Sequence, residues 1–278
     1  MAKRQQRRAG GSVVVAAVLM VCACATSCAG SGAALDDARA ADPVGTLRRA
    51  ADTLVDAGSS KARTSMEMAT GGTLVTIRGE GVYDYRERLG RLKVMLPQDP
   101  AGTSEHRPIT ELLAPGALFM KNRGAGVPAD KWVRVDTATL TDGNLVTGGA
   151  TDPLVAAEIL RGTRTATYLG ESELAGTEVR HYRGTADLVA AAKGAPSADK
   201  DVLAAAAKGF ATAAVPFDVY LDDQGRIRKV RHRFSFVNGQ RHGTVAVAST
   251  TLLYDFGTAT DVRLPAARDI YAGRIAEE

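Results

Sequence analysis

Apolar and polar side chains alternate along most of the chain, and this period of two is typical of strands with one buried face. The clearest case is a pair of alternating runs at 217–221 and 229–236, joined by the turn Asp222–Gly225. Similar runs, bounded by glycine and proline turns, occur at 62–68, 73–83, 91–96, 109–114, 117–121, 131–135, 165–171 and 177–183, and a last one ends near residue 256. Together they predict about eleven short strands in an antiparallel meander.

Helical spacing occurs in four places. An Asp-Pro pair at 42–43 provides an N-cap and a first-turn proline, and apolar residues continue at helical spacing to about residue 57. A second Asp-Pro pair at 152–153 begins another helix, and alanine-rich helical stretches cover 186–193 and 199–211. Because strands and helices do not alternate in the βαβ manner, we predict an α+β fold. The even pattern predicts one domain over residues 43–278.

The first residues differ from the rest in charge and hydropathy. Residues 1–27 contain no acidic side chain, and their four basic side chains all lie before residue 9. An apolar run follows at 12–21, and it is too short for a comfortable membrane span. This order predicts an export signal at 1–27 and a flexible tether at 28–42. Without those four basic residues, the chain has as many basic as acidic side chains, so its formal charge of +4 belongs to the leader. The composition therefore gives no support for nucleic-acid binding.

The three cysteines lie in the leader, at Cys22 and Cys24, and directly after it, at Cys28. The segment 25–28 (Ala-Thr-Ser-Cys) resembles a bacterial lipobox, whose cysteine is acylated and becomes the first residue of the mature protein. Cys28 is the expected lipidation site, because a Gly/Ser-rich stretch follows it directly, and Cys24 is the alternative. An ordinary secretory cleavage near the same place is the other interpretation. Two acyl chains anchor a protein stably, so we expect a lipid-anchored protein on the extracytoplasmic face of the cell membrane.

Catalytic and metal-binding patterns are missing from the sequence. There is no Gly-x-Ser-x-Gly motif and no cysteine after residue 28, and the four histidines do not have the spacing of metal ligands. We therefore predict a protein that is not an enzyme and holds no metal and no cofactor. An enzyme would need a cleft that places His181 or His232 beside carboxylates.

One basic cluster remains after the leader is set aside. Lys229, Arg231 and Arg233 lie on one face of a predicted strand, in a stretch without acidic residues. They form either a solvated face that acids elsewhere balance or a patch for anionic lipid headgroups or an anionic wall polymer.

Four segments carry a resemblance to a known family. They are 131–136 (KWVRVD), 176–184 (GTEVRHYRG), 219–227 (VYLDDQGRI) and 254–257 (YDFG), in addition to the lipobox. With them the chain resembles actinobacterial lipoproteins of the LppX/LprA/LprF/LprG type, whose fold relatives are the LolA/LolB lipoprotein carriers. The resemblance implies a strongly curved, half-open antiparallel sheet with helices covering its concave face. Between sheet and helices it implies an apolar cavity that takes acyl chains.

The apolar faces of the strands are the expected lining of such a cavity, and each of these residues is otherwise ordinary core. The candidates are Met66, Met68, Leu92, Val94, Leu96, Phe217, Val219, Leu221, Val230 and Phe234. The expected function is non-catalytic binding or carriage of a lipid or other amphiphile. The alternative is an envelope sensor or protein-interaction module, with a membrane-protein partner and no lipid cargo.

Overall fold

The computed structural model describes residues 41–70, 73–97, 107–238 and 243–273. Within them, eleven strands form a single sheet in which neighbouring strands are antiparallel. They are β1 (Ser59–Thr70), β2 (Thr73–Asp84), β3 (Leu89–Met95), β4 (Ile109–Ala114), β5 (Ala117–Lys121), β6 (Val133–Asp136), β7 (Thr163–Leu174), β8 (Thr177–Asp187), β9 (Ala214–Leu221), β10 (Ile227–Asn238) and β11 (Gly243–Tyr254). The predicted leader and both candidate lipidation cysteines, Cys24 and Cys28, lie outside the described residues.

Two meanders meet at the centre of the sheet. β1 to β6 follow one another from the centre to one edge, and β11 back to β7 lead from the centre to the other edge. β1 and β11 join the halves, with Met66 opposite Ser249. The edge strands β6 and β7 do not pair with each other, so the sheet is open. The prediction of a curved, half-open antiparallel sheet of about eleven strands is confirmed.

Five short α-helices lie in the described residues. They are α1 (Pro43–Arg48), α2 (Ala50–Ala57), α3 (Pro153–Glu158), α4 (Leu188–Gly194) and α5 (Ser197–Gly209). The two Asp-Pro pairs act as expected, because Asp42 accepts a hydrogen bond from the Gly45 amide and Asp152 accepts one from the Leu154 amide, each at 2.8 Å. The single helix predicted from 43 to 57 is two helices divided at Arg49, where the sequence has neither glycine nor proline.

The core lies between these helices and the concave, inner face of the sheet. Leu47 and Leu54 of α1 and α2 are fully buried in one cluster with Leu154 of α3 and with inner-face residues such as Phe217. Alanines form much of the helical contribution, and their small side chains let the helices approach the sheet closely.

The connection from β6 to β7 crosses from one edge of the sheet to the other, through residues 137–162. Its middle part, residues 140–151, has no regular structure, and most of it is buried. We call residues 140–151 the crossing segment. A buried irregular loop of this length is uncommon and must satisfy its own backbone groups.

Candidate functional site

An open groove of about 550 Å³ lies at one end of the inner face, and we call it the end groove. Apolar side chains from four strand segments and from the crossing segment form much of its wall: Met68, Ile77, Leu96, Ile109 and Val146. Arg107, Asn122, Arg123 and Thr147 add polar groups, and Gly124 and Ala125 complete the lining. The end groove is therefore apolar with cationic groups beside it.

Strand alternation directs the apolar side chains inward. Met68 lies two residues beyond the buried Met66 on β1, and Ile77 stands opposite Met66 on β2. On the next pair, Ile109 of β4 stands opposite the buried Val94 of β3. The inner face thus continues from the packed core into the end groove without a break in its apolar character.

The crossing segment supplies the inner wall, and one carboxylate holds its shape. Asp142 accepts hydrogen bonds from the amides of Asn144 (3.0 Å), Val146 (2.9 Å) and Thr147 (2.6 Å). The hydroxyl of Thr151 hydrogen-bonds to the Leu145 carbonyl at 2.8 Å, which ties the segment's far end to its middle. These bonds satisfy three amides and one carbonyl of the segment and hold Val146 and Thr147 at the groove.

Glu111 lies one pleat deeper than Ile109 on β4, opposite Leu92 and Met120. Its side chain is fully buried, and neither carboxyl oxygen has a hydrogen-bond partner among the described residues. Burial raises the pKa of Glu111 to about 8, although the charge of Arg123 opposes the shift. At neutral pH the group is therefore mostly protonated, and the wall behind the end groove is uncharged.

The ten predicted lining residues divide between the core and the groove. Met68 and Leu96 line the end groove. The other eight are at most 1% exposed and belong to the packed core cluster: Met66, Leu92, Val94, Phe217, Val219, Leu221, Val230 and Phe234. Their role as ligand-contacting residues stays a prediction.

Sequence reasoning did not name Ile77, Ile109, Arg107 or Arg123 as candidates. Ile77 and Ile109 lie within predicted strands, so their period could have found them. The two arginines lie in irregular chain, where no alternation of apolar and polar residues indicates which way a side chain points. The crossing segment lacks such an alternation for the same reason.

The predicted basic patch is largely paired with acids. Arg231 forms an ion pair with Glu67 at 2.9 Å, and Arg233 forms one with Asp218 at 3.2 Å. Lys229 lies over the ring of Tyr220, 5.1 Å from its centroid. Two of the three cations therefore have a carboxylate partner, and the binding role of this patch stays a prediction.

The two histidines considered for catalysis lie in different surroundings. His181 bonds to Asp218 at 2.9 Å, and this carboxylate also accepts from Arg183 at 2.8 Å. Burial disfavours ionisation of Asp218, but the hydrogen bonds from Arg183 and His181 outweigh it, so the pKa of Asp218 is lowered. His232 is fully buried on the inner face, and burial lowers its pKa to about 3.

A smaller cavity lies on the other side of the crossing segment. Tyr83, Arg88, Asp152 and Asp199 contribute to its lining, and its volume is about 30 Å³. The hydroxyl of Tyr83 donates to Asp152 at 3.1 Å, and Arg88 pairs with Asp199. Burial raises the pKa of Asp152 to about 6, and the charge of Asp199 adds to this shift. A cavity of this size holds about one water molecule, so it does not compete with the end groove as a ligand site.

The described residues offer neither a metal-binding cluster nor a membrane-spanning helix. In the part of the chain that the structure describes, no three side chains of the His, Cys, Asp or Glu type are grouped so that they could hold a metal ion. Among the described helices, none has both the length and the apolar character that a membrane-spanning helix requires.

Comparisons with known proteins give likenesses in structure and none in sequence. No protein-family profile and no curated protein sequence matches the chain. The chain is similar to the lipoprotein LppX of Mycobacterium tuberculosis, with 10% identity and a TM-score of 0.45 over 80% of this chain and 100% of that one. It is also similar to LprF of Mycobacterium bovis, with 12% identity and a TM-score of 0.40 over 82% and 98% of the two chains.

A third likeness is to the MucA/MucB complex of Pseudomonas aeruginosa, with 14% identity, a TM-score of 0.32, and coverage of 84% of this chain and 63% of that one. LppX and LprF are both members of the LppX/LprA/LprF/LprG-type group of lipoproteins that the sequence resembles. At these TM-scores the likenesses carry no inference about what this chain binds.

Proposed function

We propose that this protein binds and carries an amphiphile, with the apolar part in the end groove and an anionic head beside Arg107 and Arg123. The observation that carries the proposal is the groove itself, whose apolar wall continues the inner face and whose polar groups include two arginines. Its volume of about 550 Å³ falls within the range of small-molecule sites, roughly 300–1,000 Å³.

Burial of an acyl chain provides the driving force. Each Å² of apolar surface removed from water contributes roughly 25 cal/mol, and each buried methylene about 0.8 kcal/mol. The polar groups supply orientation, because a guanidinium forms charge-assisted hydrogen bonds with a carboxylate or phosphate and none with a hydrocarbon chain. No covalent bond is made or broken in this mechanism, so the proposed function is binding without catalysis.

The proposal includes delivery to a membrane. Residues 1–27 are the export signal, Cys28 is the acylated first residue of the mature protein with Cys24 as the alternative, and residues 28–42 are the tether. The anchored domain would then remain within reach of the extracytoplasmic lipid surface. Mass spectrometry of the purified protein's N-terminal peptide tests this part, because diacylglycerol on Cys28 or Cys24 has a distinct mass.

Cargo binding is tested with a groove-filling variant and a matched control on the same strand. Ile77→Trp places an indole in the end groove, whereas Thr76→Trp places the same group on the opposite face of β2. The readouts are the lipids that co-purify with the full chain, identified by native mass spectrometry, and titration with a fluorescent long-chain fatty acid. We expect Ile77→Trp to weaken fatty-acid binding at least tenfold and Thr76→Trp to leave it within twofold. A protein that purifies empty and does not bind the fatty acid, or equal binding by all three proteins, would contradict the proposal.

A further inference from the structure

Four cations without a carboxylate partner in the described residues lie on the convex, outer face of the sheet, away from the patch that the sequence predicts; one of them, Arg63, lies over the ring of Tyr254, 5.0 Å from its centroid. Arg63 of β1, Arg78 of β2, and Arg91 and Lys93 of β3 are all exposed. Among the described residues, none of the four has a carboxylate within 4.0 Å, whereas Arg231 and Arg233 both do. Glu80 lies among them, opposite Arg63 on one side and Lys93 on the other, so the group has a net positive charge.

The surface between these cations is shaped into two shallow grooves on either side of Glu80. One, of about 430 Å³, includes Arg91 and Lys93 in its lining, and the other, of about 360 Å³, includes Arg63 and Arg78. Each groove thus offers two cations on a concave surface. This arrangement suits a phosphate-bearing headgroup, because guanidinium groups bind phosphate oxygens in a bidentate manner.

Two exposed apolar side chains share this face. Leu74 of β2 is 68% exposed and Met95 of β3 is 40% exposed, and Met95 stands opposite Arg78. They are two of only five large apolar side chains that are this exposed in the described part of the chain. Cations combined with exposed apolar side chains are typical of surfaces that rest on a lipid interface, where the charges meet headgroups and the apolar groups enter the acyl boundary.

The position of this face relates it to the end groove. Ile77 and Leu96 line the groove, and their chain neighbours Arg78 and Met95 lie on the outer face. Arg78 and Met95 therefore lie behind the groove at the same end of β2 and β3, whereas Arg91, opposite Val82, lies towards the other end of these strands.

We infer that the outer face formed by Arg63, Leu74, Arg78, Arg91, Lys93 and Met95 docks on an anionic lipid bilayer and brings the end groove to the headgroup layer. Docking requires no cargo, so it can hold or fail independently of the proposed function. Each basic residue close to an anionic membrane strengthens binding about fivefold, so several together produce a measurable, salt-sensitive effect.

The test removes the acyl anchor and keeps the basic residues 1–27 unchanged in every variant, so that differences between variants report on the folded surface. The full chain with Cys24→Ser and Cys28→Ser is mixed with vesicles of phosphatidylcholine alone or of equal parts phosphatidylcholine and phosphatidylglycerol, and the bound fraction is measured by sedimentation. The docking variant carries Arg63→Gln, Arg78→Gln, Arg91→Gln and Lys93→Gln. The matched control carries Arg49→Gln, Lys193→Gln, Lys200→Gln and Lys208→Gln, which removes the same charge from the helical side.

We expect the parent chain to prefer the anionic vesicles and to be released by high salt. The docking variant should lose at least tenfold in partitioning, and the control should stay within twofold of the parent. A second variant, Leu74→Ser with Met95→Ser, retains every charge and should bind anionic vesicles more weakly than the parent. Equal loss in the docking variant and the control, or no loss in either outer-face variant, would overturn the inference. Ile77→Trp should bind vesicles normally, which distinguishes a failure of docking from a failure of cargo binding.

Discussion

Ile77 and Arg78 are consecutive residues of β2, and one lines the end groove while the other lies on the cationic outer face. The pleat of the strand alone produces this separation, because successive side chains point to opposite faces. A ligand site and a docking surface can therefore share neighbouring strands without sharing a side chain.

Glu111 gives the first prediction, which concerns pH and stability. Its pKa rises from 4.5 to about 8 on folding, so between these pH values the folded chain retains a proton that the unfolded chain releases. Stability therefore decreases as the pH rises through this window. Glu111→Gln should remove this decrease and stabilise the protein at about pH 9 by roughly 2–4 kcal/mol.

Urea unfolding at about pH 5 and about pH 9 measures this effect. Glu173→Gln is the control. Because Glu173 is exposed, its substitution should leave the pH dependence of stability as it is in the parent. The difference in unfolding free energy between the parent and Glu111→Gln should change from about pH 5 to about pH 9. An unchanged difference would contradict the burial of an ionisable carboxyl.

His232 predicts the opposite trend in acid. Burial lowers its pKa from 6.5 to about 3, so below pH 6.5 the unfolded chain binds a proton that the folded chain does not. Stability therefore decreases as the pH falls from 6.5 towards 3. His232→Phe, which places an apolar ring among Phe217 and Phe234, should be less sensitive to acid than the parent.

Thermal unfolding at pH values between about 7 and about 4 tests this prediction. His181→Gln is a useful comparison, because His181 is partly exposed and bonded to Asp218 rather than buried alone. If the parent and His232→Phe lose stability in parallel over this range, the histidine does not cause the acid sensitivity.

Truncation distinguishes core residues from groove residues within the predicted lining set. Phe217→Ala should cost about 3–5 kcal/mol of unfolding free energy, because Phe217 is fully buried in the core cluster. Leu96→Ala should cost about 1 kcal/mol or less, because Leu96 is partly exposed at the open groove, but it should weaken fatty-acid binding. Urea unfolding and the fatty-acid titration, performed on both variants, report the two effects separately; equal destabilisation would place Leu96 in the core.

Arg161 joins two helices through one exposed and one buried carboxylate. It pairs with Asp52 of α2 at 2.5 Å and with Glu158 of α3, whose side chain is almost fully buried and whose pKa burial raises. Arg161→Ala would leave Glu158 buried without its partner and should cost about 3 kcal/mol. Asp52→Ala removes only the exposed partner and should cost about 1 kcal/mol or less, so similar losses in urea unfolding would argue against this division.

The strands were the most predictable part of the fold. Runs such as 109–114 and 117–121 coincide with β4 and β5, because alternation on a sheet with one buried face is a local property of the sequence. The Asp-Pro pairs also act locally, through caps that bond within three residues. Even so, the break at Arg49 and the length of β7 and β8, which extend beyond the predicted 165–171 and 177–183, were not apparent from the period.

The sequence by itself determined which side of the strands is apolar, the antiparallel class of the sheet and the position of the four basic residues that precede residue 9. Only the tertiary structure decided which of those apolar residues are core and which line the end groove, because this depends on where the crossing segment packs on the inner face. The same is true of charge: Arg231 and Arg233 meet Glu67 and Asp218, while Arg78 and Lys93 meet no carboxylate in the described residues. Pairing across a sheet joins residues far apart in the chain, and no local pattern records it.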